Sequence, residues 1–314
     1  MKVFQFKKRI CTGLFMMFVV LAVSSSPYAR TLSTFSEVNA YQVYKNALKN
    51  TLLQQSFTLN TSTLISDQYQ TDILSVSRCM KVNKATHTMN NEIQLITSEN
   101  DMLFHTYIQD DLFIFENTGT ENYYIKELNR ENINKLIAGR SHRIENMMDI
   151  CIDVFGFYLK KFTTVTTKKN GITTIVLHME QNDIQWFLKL FIQSVLKDML
   201  GNLEAMTGDN FSAQANMVLT SLELSATIRP DNLIESQGIS LGLQSDDAAG
   251  NYREYHINRQ SLFSNINSTD TTFLDIASVP SEQVHLLNIS GEIIPFFLDL
   301  FLSSSRTGFE QLLK

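Results

Sequence analysis

The chain has 314 residues, 26 basic and 32 acidic side chains for a formal charge of −6, and 44% hydrophobic residues that include 21 Phe. That is enough apolar material for the core of one large domain or two small ones, so disorder is excluded as the default. The acidic balance argues against nucleic acid and anionic lipid surfaces as partners, and no P-loop, GxGxxG or basic stripe interleaved with aromatics gives a nucleotide site a starting point.

Lys7, Lys8 and Arg9 precede an apolar run from Leu14 to Val23 that gives way to Ser24, Ser25 and Ser26. A basic start, a short apolar core and small residues follow in the order of an export signal. The run is too short for a transmembrane helix of about 20 residues. Residues 1–26 are therefore expected to be a signal peptide, with an uncleaved N-terminal anchor as the alternative. The expected location is extracytoplasmic, either secreted or in the cell envelope. Cys11 lies before the apolar stretch, where it cannot be the lipidated cysteine of a lipoprotein signal. Lys2, Lys7, Lys8 and Arg9 leave with the signal, so the remainder carries 22 basic against 32 acidic residues, a charge of −10. Cys79 and Cys151 could form a disulfide in an oxidising compartment, although each also reads as a small buried residue, and neither belongs to a CxxC pair.

Ser36 to Gln54 reads as a helix with Ser36 as N-cap and Val38, Tyr41, Ala47, Leu48 and Leu52 near helical spacing. The period then drops to two. Phe57 to Ile65 alternates, and Leu74, Val76, Arg78, Met80 and Val82 follow the same rule apart from the arginine. Further strands are expected at Ile93 and Leu95, Met102 to Ile108, Leu112 to Phe115 and Tyr123 to Ile125. Turns such as Gln109-Asp110-Asp111 are too short for parallel crossovers, so this is an antiparallel meander. Between Asn129 and Phe162, Ile144, Met147, Cys151, Val154, Phe155 and Tyr158 form a helical stripe. Strands at Phe162 to Thr167 and Ile172 to Met179 are joined through Asn170-Gly171, a dipeptide suited to positive φ.

The longest helix is predicted from Asp183 to Met206, capped by Asn182, with Ile184, Phe187, Leu188, Phe191, Val195, Met199 and Leu203 on a wide apolar face. Its Lys189, Gln193, Lys197 and Asp198 rule out a membrane span. Val218 to Ile228 alternates into the turn Arg229-Pro230-Asp231-Asn232, Ile239, Leu241 and Leu243 line the returning strand, and Tyr252 to Arg259 is a further strand. Ile293 to Leu302 suits a short packed helix. With no repeat, low-complexity tract or linker, residues 36–303 read as a single α+β domain.

Gly238-Ile239-Ser240-Leu241-Gly242 matches the GxSxG pattern of serine hydrolases, with Asp270 or Asp275 and then His285 in the right order. A nucleophile elbow requires strand, sharp turn and helix, whereas Ile239, Leu241 and Leu243 continue a period-two strand. His142, Glu145, Asp149 and Asp153 share a helix face, read as a solvated acidic surface rather than a metal site. His87, His105, His178, His256 and His285 are scattered singly. No catalytic residue, metal site or cofactor is expected. The aromatic inventory reads as ordinary core or, more sharply, as the lining of an apolar cavity between sheet and helix.

The opening Tyr41-to-Leu53 helix leading into Gln55-Ser56-Phe57-Thr58-Leu59, the Arg229-Pro230-Asp231-Asn232-Leu233-Ile234 hairpin and the overall element order resemble the LolA-like superfamily of bacterial envelope proteins. That group includes periplasmic lipoprotein carriers and LppX-like lipid-binding lipoproteins. The likeness is architectural, covers roughly Ser36 to Asn267, and the quoted segments look like those of uncharacterised members in Gram-positive bacteria. It implies a curved antiparallel sheet, an open half-barrel, with helices packed on its concave face. Many relatives have a lipobox, which this chain lacks, and no short motif carries a ligand residue across by position. The resemblance implies an exported, non-enzymatic protein that buries a hydrophobic ligand, a lipid or the acyl chains of a lipoprotein, with transient membrane contact. Phe104, Phe113, Phe115, Trp186, Phe187, Phe191, Leu222 and Leu224 are the candidate lining, and the long helix is the expected lid. The alternative is an envelope interaction or sensor module with a filled core. A serine hydrolase ranks third.

Overall fold

The computed structural model describes residues 40–98, 100–129, 159–186, 188–189, 192–193, 217–246 and 252–286. The signal segment 1–26, the helices expected between Asn129 and Tyr158 and at Ile293 to Leu302, and most of the helix expected from Asp183 to Met206 lie outside them. The described elements open with α1 (Ala40–Leu53), followed by β1 (Ser56–Asp67), β2 (Asp72–Asn83), β3 (Thr88–Thr97), β4 (Asp101–Gln109), β5 (Leu112–Asn117) and β6 (Asn122–Glu127). Then come β7 (Thr163–Thr167), β8 (Thr173–Glu180), β9 (Val218–Ile228), β10 (Ile234–Asp246), β11 (Tyr252–Ser264) and β12 (Val284–Leu286).

Short turns make β1 to β6 an antiparallel meander; β7 to β11 also pair antiparallel in chain order, although residues 181–217 separate β8 from β9, and the pairing of β1 with β11 joins the two runs. The result is a 12-stranded sheet in the order β12-β6-β5-β4-β3-β2-β1-β11-β10-β9-β8-β7. The hairpins follow their turn chemistry. Asp110 and Asp111 both have positive φ, 50° and 60°, which is what a two-residue type I′ turn requires. At the β7–β8 turn only Gly171 is left-handed, at φ 82°, with its N–H bonded to the Lys168 carbonyl at 2.9 Å. The β9–β10 turn repeats that plan with Pro230 early and Asn232 at φ 59°, its N–H 2.9 Å from the Arg229 carbonyl.

Alternation sends Phe57, Leu59, Thr61, Thr63 and Ile65 of β1 to one face, and the ladder matches them with Val82, Met80, Arg78, Val76 and Leu74 of β2. Two apolar clusters form on this inward face. The first joins Ile65, Leu74 and Leu95 to Leu177, Met179, Leu222, Leu241, Leu243 and Ile257, with Ile184 and Leu188. The second joins Phe57, Val82, Ile108, Phe113 and Phe115 to Ile175, Ile228, Ile234 and Phe263, with Ala40 and Ala47 of α1. β5 and β8 are eight strand spacings apart in the sheet order, or about 38 Å if the sheet were flat. Their side chains share one core, so the sheet is strongly curved; β7 and β12 remain unpaired edges and it is open.

After β11 the chain crosses the outward face as a strap. Thr269 bonds Thr58 at 3.2 Å, Thr271 bonds Thr88 at 2.7 Å, and the Leu274 backbone exchanges two bonds with the Gln109 amide at 2.7 and 2.9 Å. It ends in β12, which pairs parallel to β6 and so departs from the all-antiparallel expectation. Strand β11 also runs past its expected end at Arg259 to Ser264, because its ladder with β1 continues where its apolar alternation breaks at Ser261. The helix expected from Asp183 starts later: Asp183 and Ile184 donate to the Glu180 carbonyl at 2.8 and 3.2 Å in a turn, and helix is first seen at Trp186.

Candidate functional site

Between the two apolar clusters the inward face turns polar. Arg78 and Thr61 are cross-strand partners, Thr61 also faces Ser261, and Thr63 faces Arg259. The Thr61 and Ser261 hydroxyls lie 3.3 Å apart. On β3 and β4, Asn91 and Thr106 are paired on the same face, 2% and 1% exposed. On β10, Gln237 faces Ser261 and donates to the Tyr44 hydroxyl of α1 at 3.1 Å. Ile239, opposite Arg259, is 39% exposed, so the face is open at this point.

Arg78 is fixed by its Nε, which donates to Asn91 Oδ1 at 2.5 Å, and among the described residues its Nη2 meets only the weak acceptor Met80 Sδ at 3.3 Å. Among the described residues neither Arg78 nor Arg259 has a carboxylate partner. Burial, and secondly the charge of Arg259, hold the Arg78 guanidinium down at about 10, and burial also lowers Arg259. Asn91 Nδ2 and Thr106 Oγ1 are buried without a hydrogen-bond partner among the described residues. The belt therefore carries two positive charges and neutral polar groups, with no carboxylate on either arginine among the described residues, the reverse of what a metal site needs.

The expected lining residues divide between the two ends of this face. Phe113 and Phe115 are buried and Phe104 half-buried in the second cluster, where Phe104 and Phe115 stack at 5.8 Å. Leu222 and Leu224 belong to the first cluster. Trp186 is 67% exposed. Phe187 and Phe191 lie outside the described residues. Cys79 is a free thiol on the outward phase of β2, and Cys151 lies outside the described residues.

Neither Arg78 nor Arg259 was among the expected site residues. Their signal was available: Arg78 interrupts the apolar inward phase Leu74-Val76-Arg78-Met80-Val82, and Arg259, with Ser261, interrupts Tyr255-Ile257-Arg259-Ser261-Phe263. That the two interruptions meet depends on which strands pair.

The GxSxG segment lies wholly within β10, with Ser240 facing Glu223 and Asn258 in an unbroken ladder, so it is not an elbow. Its glycines have a packing reason: a Cβ on Gly238 would fall 2.4 Å from Ser225 Oγ, and one on Gly242 2.5 Å from Ser221 Oγ. His285 bonds Asn122 at 3.3 Å and Asp275 caps Ala277 at 3.2 Å, so neither is directed to Ser240.

On the outward face, Glu116 accepts from Tyr107 at 3.1 Å and Tyr123 at 3.2 Å and contacts His105 Nδ1 at 3.0 Å. Burial and then the Glu116 charge push the Tyr107 phenol upward, keeping it a donor. This is a cross-strand network that ties β4, β5 and β6. Among the described residues no group of three His, Cys, Asp or Glu side chains is arranged to hold a metal ion, and no helix is long and apolar enough to cross a membrane.

No family model matches the chain, and no curated protein matches it in sequence. Among solved structures, it is similar to an uncharacterized conserved protein from Thermus thermophilus, at 9% identity and a TM-score of 0.25, covering 79% of this chain and 98% of the other. A DUF1329 family protein from Desulfovibrio piger follows at 9% identity and a TM-score of 0.22, covering 77% and 98%. A β-barrel-like protein of DUF1849 from Brucella abortus has 10% identity and a TM-score of 0.16, covering 70% and 99%.

Proposed function

We propose that the protein is an exported, non-catalytic binding protein of the cell envelope that holds a hydrophobic ligand, a lipid or the acyl chains of a lipoprotein, against the inward face of its curved sheet, as LolA-like carriers do. The observation that carries this reading is the division of that face. Two apolar clusters flank a half-buried belt at which Ile239, a large apolar side chain, stays 39% exposed. An apolar side chain left uncovered between two clusters of one face is where the chain of such a ligand would lie. At about 25 cal/mol per Å² of apolar surface, sequestering one long acyl chain offsets its transfer from a membrane without covalent chemistry. In this reading helices complete the concave side, and binding sites of this kind are apolar with a few placed polar groups.

The test is mass spectrometry of lipid extracted from protein purified without detergent, together with titration by a fluorescent fatty acid. A stoichiometric lipid and saturable binding are expected, with binding weakened by Phe187→Asp or Phe191→Asp more than folding cooperativity is. A purified protein that carries no lipid and binds none would instead favour an interaction module with a filled core.

A further inference from the structure

We propose that the ligand is an anionic amphiphile whose carboxylate or phosphate head is held between Arg78 and Arg259 while its apolar chain lies along a flanking cluster of the inward face. This rests on the binding reading above and adds the chemistry of the head group.

The two arginines occupy strands on either side of β1, offset by two residues, since Arg78 faces Thr61 and Arg259 faces Thr63. Two strand spacings and two residues put their backbones about 12 Å apart, and both side chains project from the same face. Long side chains on one face at that spacing can close on a group between them. Two like charges drawn partly out of water without a counterion are unfavourable, and a protein that needed only its own fold would place a carboxylate here. None pairs with either guanidinium among the described residues.

The belt also holds its donors ready. Asn91 Oδ1 accepts from Arg78 Nε at 2.5 Å, which sets the side-chain orientation and leaves the outer edge of the guanidinium without a strong acceptor. Asn91 Nδ2 and Thr106 Oγ1, on side chains 2% and 1% exposed, are unpartnered among the described residues in the same belt. A planar guanidinium matches carboxylate and phosphate oxygens two at a time, and is weakly enough hydrated to do so when half-buried. The exposed Ile239 beside Arg259 and the clusters on either side supply the apolar path that a free inorganic anion would not use.

The test titrates the full chain with hexadecanoate, hexadecyl phosphate, hexadecanol and hexadecyltrimethylammonium, probes that share a chain and differ in head. The anions are expected to bind at least about tenfold more tightly than the alcohol, and the cation most weakly. Arg78→Gln and Arg259→Gln should each erode that preference, weakening the anions more than hexadecanol, with Arg259→Lys retaining part of it. The order of the two anions separates a carboxylate head from a phosphate head. Equal affinity for hexadecanol and both anions overturns the head-group assignment and leaves the carrier reading standing. Failure of all four probes to bind overturns both. Because Arg259→Gln removes one of two mutually repelling cations, its melting temperature should equal or exceed that of the parent. A clear fall would identify Arg259 as structural and overturn the proposal.

Discussion

The Thr51 hydroxyl accepts the Ile234 backbone N–H at 2.7 Å while donating to the Ala47 carbonyl at 2.8 Å, and both Thr51 and Ile234 are fully buried. One side chain thus fastens α1 to the point where the β10 ladder slips against β9, between Ile234 and Ser236. Thr51→Val keeps the shape and removes the acceptor, leaving a buried donor unpaired. It should destabilise the protein by about 1–3 kcal/mol, read as a lower urea midpoint at constant slope. An unchanged midpoint would show that Ile234 finds another acceptor.

Gly171 and Pro230 bring the β7–β8 and β9–β10 turns into contact. A Cβ on Gly171 would lie 3.2 Å from Pro230 Cβ, and the φ of 82° already disfavours any L side chain. Gly171→Ala should therefore be destabilising by about 1–2 kcal/mol. Pro230→Gly in the same background removes both the Cβ and the Cγ that the new methyl would meet and leaves the φ penalty, so a double-mutant cycle should show only part of the loss to be coupled.

Gly238→Ala places a methyl against Ser225 Oγ across the β9–β10 ladder and near the Gln260 amide. The expected loss is about 1 kcal/mol, at the low end for overpacking because serine can rotate away. Ser225→Ala should suppress it, a coupling that a double-mutant cycle measures. Ser240→Ala should leave any measured esterase activity unchanged, since Ser240 is a mid-strand residue. Labelling of Ser240 by a fluorophosphonate would contradict that placement.

His178 touches Glu180 Oε1 at 2.8 Å and Glu223 Oε2 at 3.4 Å, and its pKa is raised above 6.5 chiefly by the hydrogen bond to Glu180. A folded-state pKa raised above the unfolded value gives stability that is fully present below 6.5 and fades as pH rises through the raised value. The side chains are half exposed, so the contribution is small and salt-sensitive. A proton NMR titration should place the His178 midpoint above that of a free imidazole, and Glu180→Gln should lower it. A midpoint below 6.5 would refute the pairing.

The strands were readable because alternation is local: Phe57 to Ile65 or Val218 to Ile228 shows its period within its own residues, and Pro230 or Gly171 declares a turn without reference to anything distant. The same locality let Gly238 to Gly242 be recognised as strand despite its hydrolase-like spelling. What the sequence could not carry is pairing between segments far apart. Thr61 meets Ser261 across 200 residues, and no pattern within either strand selects that partner over another of equal polarity. The strap from Thr269 to Leu274 is equally silent, since its bonds to Thr58, Thr88 and Gln109 use residues that look like loop. Arg78 and Arg259 show the division most sharply. Each was visible as a charge in an apolar phase. Only the β1–β11 and β1–β2 ladders, and the curvature that folds β5 towards β8, set them on one face between two cores, because the free energy of that juxtaposition resides in contacts that exist only after the sheet has closed around them.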